Sequence, residues 1–293
     1  MEEPFPHGWA HLDGRRVPAA EALVSIFDHG LLYGYGLFET VRVYRGVPFR
    51  LGAHLARLEA GAALLEIPLA WPPNALADAV ADVIAANGFG DAALRITVTR
   101  GPGAAGPDPD PRQPATRFVF ARRWSPPPAS LYGRGAHAIV AEVRQNEASP
   151  LARIKSLNYG VNLLARAEAR AAGAAEALLL NRSGTLASGA TSNLFAVTGG
   201  QLVTPPPDDG CLPGITRAVV FELAEAAGIA VAERSLALAD LLAADEAFLT
   251  NSLREIVPLV RVDDATIGAG IPGPVTQALL AAYRALVARE TGG

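Results

Sequence analysis

Lysine and arginine together number 25 in this 293-residue chain, and only one of them, Lys155 in RIKSLNYG (153–160), is lysine. A guanidinium serves wherever fixed positive charge is enough. Only a primary amine sheds its proton at moderate cost and attacks a carbonyl to form a Schiff base. Arginine would replace a lysine at a solvated surface, so the retained amine points to nucleophilic chemistry. Three further stretches suit an anion. GCLPGITRAVV (210–220) opens a helix with Pro213 and Gly214 and puts Thr216 in its first turn, where free N–H groups, the helix dipole and a hydroxyl cup a phosphate. LTNSLRE (249–255) places Asn251 and Ser252 directly after a strand, where polar groups often face a ligand. His54 and Arg57 lie three apart on one helix face, and Arg57 suits a dianion. Taken singly, these stretches also suit an ordinary helix start, a plain turn and a solvated helix charge.

Other chemistries lack their signatures. GYGLFE (34–39) misses the third glycine of a dinucleotide loop, and no GxxxxGK[ST] occurs. Five scattered histidines and one cysteine give no metal-ligand spacing, and there is no GxSxG elbow. A formal charge of -4 offers no footprint for nucleic acid. No apolar stretch is long enough to span a bilayer, and the acidic opening MEEPFPHGWA lacks the apolar core of a signal peptide. The lone cysteine excludes an internal disulfide and fits a reducing compartment, so a cytoplasmic protein is expected. A Schiff-base lysine together with several phosphate-binding elements describes pyridoxal 5'-phosphate better than any other cofactor.

The elements that must position these groups read as two mixed α/β domains, 1–123 and 131–293, the second carrying Lys155. Between them WSPPPAS (124–130) reads as an extended proline-rich linker. In the first domain, hairpins turn at Asp13-Gly14 and Arg45-Gly46, helices fit 51–67 and 74–86, and strands fit 93–100 and 115–123. In the second, strands fit 136–144, 176–181, 193–198 and 201–204. Helices fit 159–172, the stretch after Gly214, and 274–289, while DEAFLTNS (245–252) reads as a strand entering a polar loop.

The stretches DHGLLYGYGLFETVRV (28–43), HLARL (54–58), RIKSLNYGVNLLARAEA (153–169), EALLLNRSGTLASGATSNLFAV (176–197), LPGITR (212–217) and LTNSLREIVPL (249–259) follow in order over nearly the whole chain. Together they resemble the signatures of fold-type IV, class IV aminotransferases. That family includes branched-chain and D-amino-acid aminotransferases and aminodeoxychorismate lyase. The resemblance implies a homodimer with a small amino-acid-like substrate and pyridoxal 5'-phosphate on Lys155. It implies that Arg57, Gly214, Ile215, Thr216 and Ser252 hold the phosphate with Asn251 adjacent, that Tyr159 approaches the ring hydroxyl, and that Leu212 packs on the ring. Where the family usually reads E-G-x-x-x-N, this chain has SGATSN, so Ser188 stands where a glutamate normally pairs with the pyridine nitrogen. Phe38-Glu39-Thr40, KSLNY and TNSLREIVP look closest to the lyases, which convert 4-amino-4-deoxychorismate to 4-aminobenzoate and pyruvate. On that reading Lys155 is the general base and Thr40 sits near the proton transfer, while Phe38, Arg100 and Arg144 are candidates for the substrate. A branched-chain or D-amino-acid aminotransferase shares every cofactor residue and is the alternative. A weakly active cofactor-binding relative, prompted by Ser188, is the third.

Overall fold

The structure is a computed structural model that describes residues 8–72, 74–103, 106–110 and 112–293. The acidic opening read for a leader falls largely outside them. The described chain forms two compact units. One holds residues up to Ser125 with Ile154–Asn158 and Glu290–Gly293, and the other holds Pro126–Arg153 and Tyr159–Arg289.

In the first unit, Asp13 (φ 47°) and Gly14 (φ 87°) close the turn between β1 (Trp9–Leu12) and β2 (Arg15–Pro18). Arg45 (φ 50°) and Gly46 (φ 82°) do the same between β3 (Gly36–Tyr44) and β4 (Val47–Pro48). Two successive left-handed residues make the turn whose twist matches a hairpin, and glycine at the second position removes the Cβ penalty. With β5 (Ala92–Thr99) and β6 (Thr116–Arg123) these strands form an antiparallel sheet in the order β2-β1-β6-β5-β3-β4.

Beside a short helix, α1 (His29–Tyr33), this unit has two longer ones, α2 (Leu51–Leu64) and α3 (Ala75–Asn87). Leu37, Val41 and Val43 of β3 pack with Leu58, Ala62, Val80 and Val83 of those helices in one core. Because successive strand residues point to opposite faces, Phe38, Thr40 and Arg42 line the face away from α2 and α3.

Because β4 is so short, it covers β3 only at Val43 and Tyr44. At the other end of that edge the lysine segment adds itself as a surrogate strand. Phe38 N–H donates to the Lys155 carbonyl (2.9 Å), Leu157 N–H donates to the Gly36 carbonyl (2.9 Å), and Ser156 bridges Leu37. This backbone pairing groups Ile154–Asn158 with the first unit, whereas the sequence reading assigned the whole stretch from 131, Lys155 included, to the second.

The second unit begins with α4 (Ala129–Gly133), so the last two residues of the expected linker are helical. Its nine strands among the described residues are β7 (Ala136–Val140), β8 (Glu176–Leu180), β9 (Leu186–Gly189), β10 (Asn193–Thr198), β11 (Gln201–Thr204), β12 (Val231–Glu233), β13 (Glu246–Asn251), β14 (Glu255–Val262) and β15 (Ala265–Thr266). The order is β12-β11-β10-β13-β14-β7-β8-β9, with β15 on β14. Helices α5 (Gly160–Ala171), α6 (Ile215–Ala226), α7 (Leu238–Leu242) and α8 (Pro274–Glu290) complete it. Strand β7 stops short of the expected 144 because the Glu142 N–H turns to the Glu168 carboxylate (2.7 Å) instead of a ladder carbonyl. Four strands escaped the sequence reading: β12 and β15 are only three and two residues long, β9 is built of LASG, without a β-branched residue, and β14 carries Pro258 in mid-strand.

Phe195 of β10 stacks on Phe248 of β13 (4.9 Å between centroids) and takes Phe221 of α6 edge-on (5.9 Å), which fixes α6 across the sheet. No helix among the described residues is long and apolar enough to cross a membrane.

Gly36 shows how tightly the lysine segment is seated. A Cβ there would stand 2.7 Å from both Leu157 Cδ1 and the Val98 carbonyl oxygen. Gly36→Ala is expected to cost about 1–3 kcal/mol, read as a lowered Tm. An unchanged Tm would show that the seat is looser than the contacts imply.

Candidate active site

In the first unit the site is assembled on β3. Lys155 Nζ lies 4.6 Å from the centroid of the Phe38 ring, and the Arg95 guanidinium lies 3.5 Å from the same ring. Thr40 is two residues along β3 on that face, about 7 Å away at the rise of a strand, and Arg95 is its cross-strand partner. Desolvation, then the positive charges of Arg57 and Arg95, lower the Lys155 amine to about 8, with Glu39 opposing them. A surface lysine stays charged until far higher pH, whereas this amine supplies a sizeable neutral fraction near neutrality.

On the opposite face of β3, the fully buried Glu39 binds both residues of the His54/Arg57 pair. Arg57 donates from Nε to Oε1 (2.8 Å) and from Nη2 to Oε2 (2.7 Å), and His54 Nδ1 lies 2.6 Å from Oε2. Burial by itself would raise the Glu39 carboxyl, but the hydrogen bonds from His54 and Arg57 outweigh it and hold Glu39 at about 2. Burial lowers His54 more than Glu39 raises it, so the imidazole is neutral at neutral pH and donates its Nδ1–H to the carboxylate. His54 and Arg57 are therefore set by one buried counter-charge.

In the second unit the turn at 188–193, which runs from the end of β9 into the start of β10, gathers the remaining candidates. Asn193 Nδ2 donates to the Leu212 carbonyl (2.8 Å), and a Cβ on Gly214 would stand 2.0 Å from Asn193 Oδ1. Glycine is thus required where the loop meets Asn193. The Ala190 carbonyl accepts from Asn162 Nδ2 (2.8 Å) and the Tyr159 hydroxyl (3.4 Å), and the Thr191 carbonyl accepts from Asn251 Nδ2 (3.3 Å). Ser188, opposite Leu179 in the β8–β9 ladder, shares the face that packs on α5 with Ala165 and Ala169.

Helix α6 starts at Ile215 with no side-chain cap on Gly214, so its first N–H groups are available to an anion, and Thr216 is buried in the first turn. Thr250 lies opposite Asn193 in the ladder, and its Oγ1 is buried with no hydrogen-bond partner among the described residues. An orphaned hydroxyl beside Asn193 and an uncapped helix start fit an anionic group such as a phosphate. Ser252 is half-buried just past the end of β13.

Two candidates are placed elsewhere. Arg100 is buried and donates to the carbonyls of Gln113 (3.0 Å) and Asp110 (2.8 Å), so it braces a loop rather than presenting its charge to a substrate. Arg144 is exposed beyond β7. Arg95 and Glu39 were missed. Alternation in ALRITV does separate Arg95 from Leu94 and Ile96, but only the register with β3 shows which face receives Lys155.

Compared with known proteins, residues 36–262 match the profile of the family described as "Amino-transferase class IV". The chain is 41% identical over 270 residues to a Methanocaldococcus jannaschii protein provisionally named branched-chain-amino-acid aminotransferase, covering 92% of this chain and 93% of the relative. It is 32% identical over 276 residues to the aminodeoxychorismate lyase of Bacillus subtilis, covering 94% and 93%. The Escherichia coli branched-chain amino acid aminotransferase superposes with a TM-score of 0.92 at 32% identity, over 96% of this chain and 95% of that one. A T.th. branched-chain amino acid aminotransferase, solved with pyridoxamine 5'-phosphate, gives 0.91 at 33% identity, over 98% and 95%.

Two pH dependences follow. Reaction of the cofactor-free protein with an aromatic aldehyde should rise with pH through a midpoint near 8, because the neutral amine is the nucleophile. Arg95→Gln, which removes a positive neighbour, should move that midpoint up; a midpoint above 10 in the parent protein would refute the assignment. Glu39 ionises in the fold about two units below an ordinary carboxyl, so its stabilisation is present above the unfolded value and is lost as pH falls from about 4.5 towards 2. That loss is about 3 kcal/mol, and Glu39→Gln should flatten this acid limb in denaturation at stepped pH.

Proposed function

Because the chain belongs to the class IV aminotransferase family, with the fold-type IV architecture, we propose that it is a pyridoxal 5'-phosphate enzyme that releases pyruvate from 4-amino-4-deoxychorismate to leave 4-aminobenzoate. The bound cofactor supplies an electron-withdrawing ring next to the carbon that loses its proton. Lys155 would hold the cofactor through its amine, and that amine, lowered to about 8, suits it to take and return a proton as general base once free. The phosphate falls to the uncapped start of α6, with Gly214, Ile215, Thr216 and Ser252, and to Arg57, oriented by Glu39. Tyr159 serves the ring hydroxyl, Leu212 the ring face, and Asn251 steadies the turn at 188–193.

The observation that favours the lyase is Thr40. Its side chain shares the Lys155 face of β3, where a hydroxyl can relay the proton that the departing enolpyruvyl oxygen needs. Moving an amino group to a 2-oxo acid requires no such relay. Ser188 leans the same way. A neutral hydroxyl can hydrogen-bond the pyridine nitrogen but cannot hold a proton there by charge. Glu176 of β8 does not stand in, because it occupies the other face of the strand from Leu179, the ladder partner of Ser188. An elimination driven by forming an aromatic ring depends less on a strong electron sink. Arg95, stacked on Phe38, is the counter-charge for a substrate carboxylate.

A branched-chain aminotransferase is the second reading, favoured by the 41% identity to a relative of that name. We also propose a homodimer. Leu23, Ile26, Phe27 and Leu31 are more than half exposed within one short stretch of the first unit, an apolar surface that a second copy would cover.

Incubating the purified protein with 4-amino-4-deoxychorismate should release 4-aminobenzoate. Thr40→Val should cut that release by about a hundredfold without changing cofactor affinity. Rapid transfer from branched-chain amino acids to 2-oxoglutarate, with no 4-aminobenzoate formed, would establish the second reading instead. Lys155→Arg should abolish the absorbance band that arises from the cofactor's bond to the lysine. Ser188→Glu should change that absorbance and raise transfer activity; if neither moved, the explanation of Ser188 would be wrong.

A further inference from the structure

Glu176 has no part in the chemistry above, yet its carboxylate is buried at the start of β8 with the residue 1% exposed. An ionised group in such a place is costly unless it is hydrogen-bonded and paired. Oε2 accepts from Thr191 Oγ1 (2.6 Å) and Ser192 Oγ (3.2 Å). Oε1 accepts from the Ala177 N–H (3.1 Å) and lies 3.4 Å from Arg166 Nη1. The two hydroxyls come from consecutive residues in the middle of the turn at 188–193.

That turn is built around the carboxylate. A Cβ on Gly189 would meet Ser192 Oγ at 2.2 Å and Glu176 Cγ at 3.1 Å, so no larger residue fits between them. Every partner is a donor, and a carboxylate is the side-chain group that accepts at both oxygens. A glutamine has one oxygen and one amide nitrogen. In one orientation the nitrogen opposes the Ala177 N–H, and in the other it makes both hydroxyls accept rather than donate, which reverses the bonds that hold Thr191 and Ser192. A small cavity lined by Glu176, Ser192, Asn251 and Arg254 lies beside the clamp.

We propose that Glu176 is a positioning residue for the cofactor, acting through Thr191. Held by its hydroxyl, Thr191 presents its carbonyl to Asn251 Nδ2 (3.3 Å), and Asn251 adjoins Ser252 at the phosphate end. The same turn carries Ser188 at the ring end and Asn193 against the Leu212–Gly214 loop. One buried carboxylate thereby sets both ends of the cofactor's seat without touching it. The inference rests on the cofactor reading above.

The test is a titration of cofactor-free protein with pyridoxal 5'-phosphate, followed by visible absorbance and circular dichroism, for the parent, Glu176→Gln, Thr191→Val and the double variant. Both single variants should weaken binding about tenfold and alter the dichroism of the bound cofactor, with the double variant no weaker than either. Thr191→Val should leave the Tm of the cofactor-free protein near that of the parent, and it carries the test alone if Glu176→Gln does not fold. Parent-like affinity in the folded variants, or effects that add in the double variant, would overturn the inference while leaving the cofactor reading intact. A parent protein that does not bind pyridoxal 5'-phosphate overturns both.

Discussion

Strand β3 reaches further than the partner that pairs its outer edge. β4 covers only its last two residues, and the exposed N–H and C=O groups at Gly36 and Phe38 are taken up by residues 155–157. Two backbone hydrogen bonds at 2.9 Å thus decide where the one amine of the chain stands. An unpaired strand edge is ordinarily a liability. Here it is a socket, and glycine at position 36 keeps it open. The remainder of the first unit's chemistry, from the stacking on Phe38 to the neighbouring guanidiniums, depends on that placement.

Charge is distributed around the amine with a sense of direction. Phe38 and Arg95 stand on its own face of the sheet, and Glu39, His54 and Arg57 stand on the other. The buried carboxylate neutralises the arginine it clamps and still opposes the depression of the lysine's affinity for protons. Desolvation and two cations win that contest. The product is an amine that is partly neutral near physiological pH, as a nucleophile and base requires. His54 takes no charge in this arrangement; it completes the shell of donors that lets a carboxylate remain ionised in the interior.

The second unit solves a similar problem with backbone carbonyls. Within the turn at 188–193, the carbonyls of Ala190 and Thr191 and the side chain of Asn193 tie down Tyr159, Asn162, Asn251 and the loop leading into α6. Small residues dominate because the chain must approach itself closely, and Gly189 and Gly214 mark the tightest points. The turn itself is held by the buried Glu176 carboxylate through the hydroxyls of Thr191 and Ser192. The aromatic stack of Phe195, Phe248 and Phe221 keeps the start of α6 in register with it.

Much of this was legible without coordinates. Lys155 stands out because arginine replaces lysine wherever charge alone is needed, and hairpins at Asp13-Gly14 and Arg45-Gly46 follow from local turn chemistry. The start of α6 follows likewise from Pro213 and Gly214. Local backbone preference decides such features, so a short window of residues suffices. Strand β9 escaped because LASG owes its conformation to neighbouring strands rather than to its own propensities, and β14 because Pro258 interrupts a run of Ile and Val that otherwise favours a strand. Arg95 lies within β5 and Arg100 just past its end, five residues on. Arg100 braces a loop through the Gln113 and Asp110 carbonyls, whereas the pairing of β5 with β3 sets Arg95 beside the amine, and neither partner is adjacent in sequence. The sequence by itself therefore determined which functional groups exist and which turns deliver them. Tertiary structure decided that the lysine joins the first unit, that Glu39 holds Arg57, and that Glu176 holds the turn, because those contacts join residues far apart in the chain.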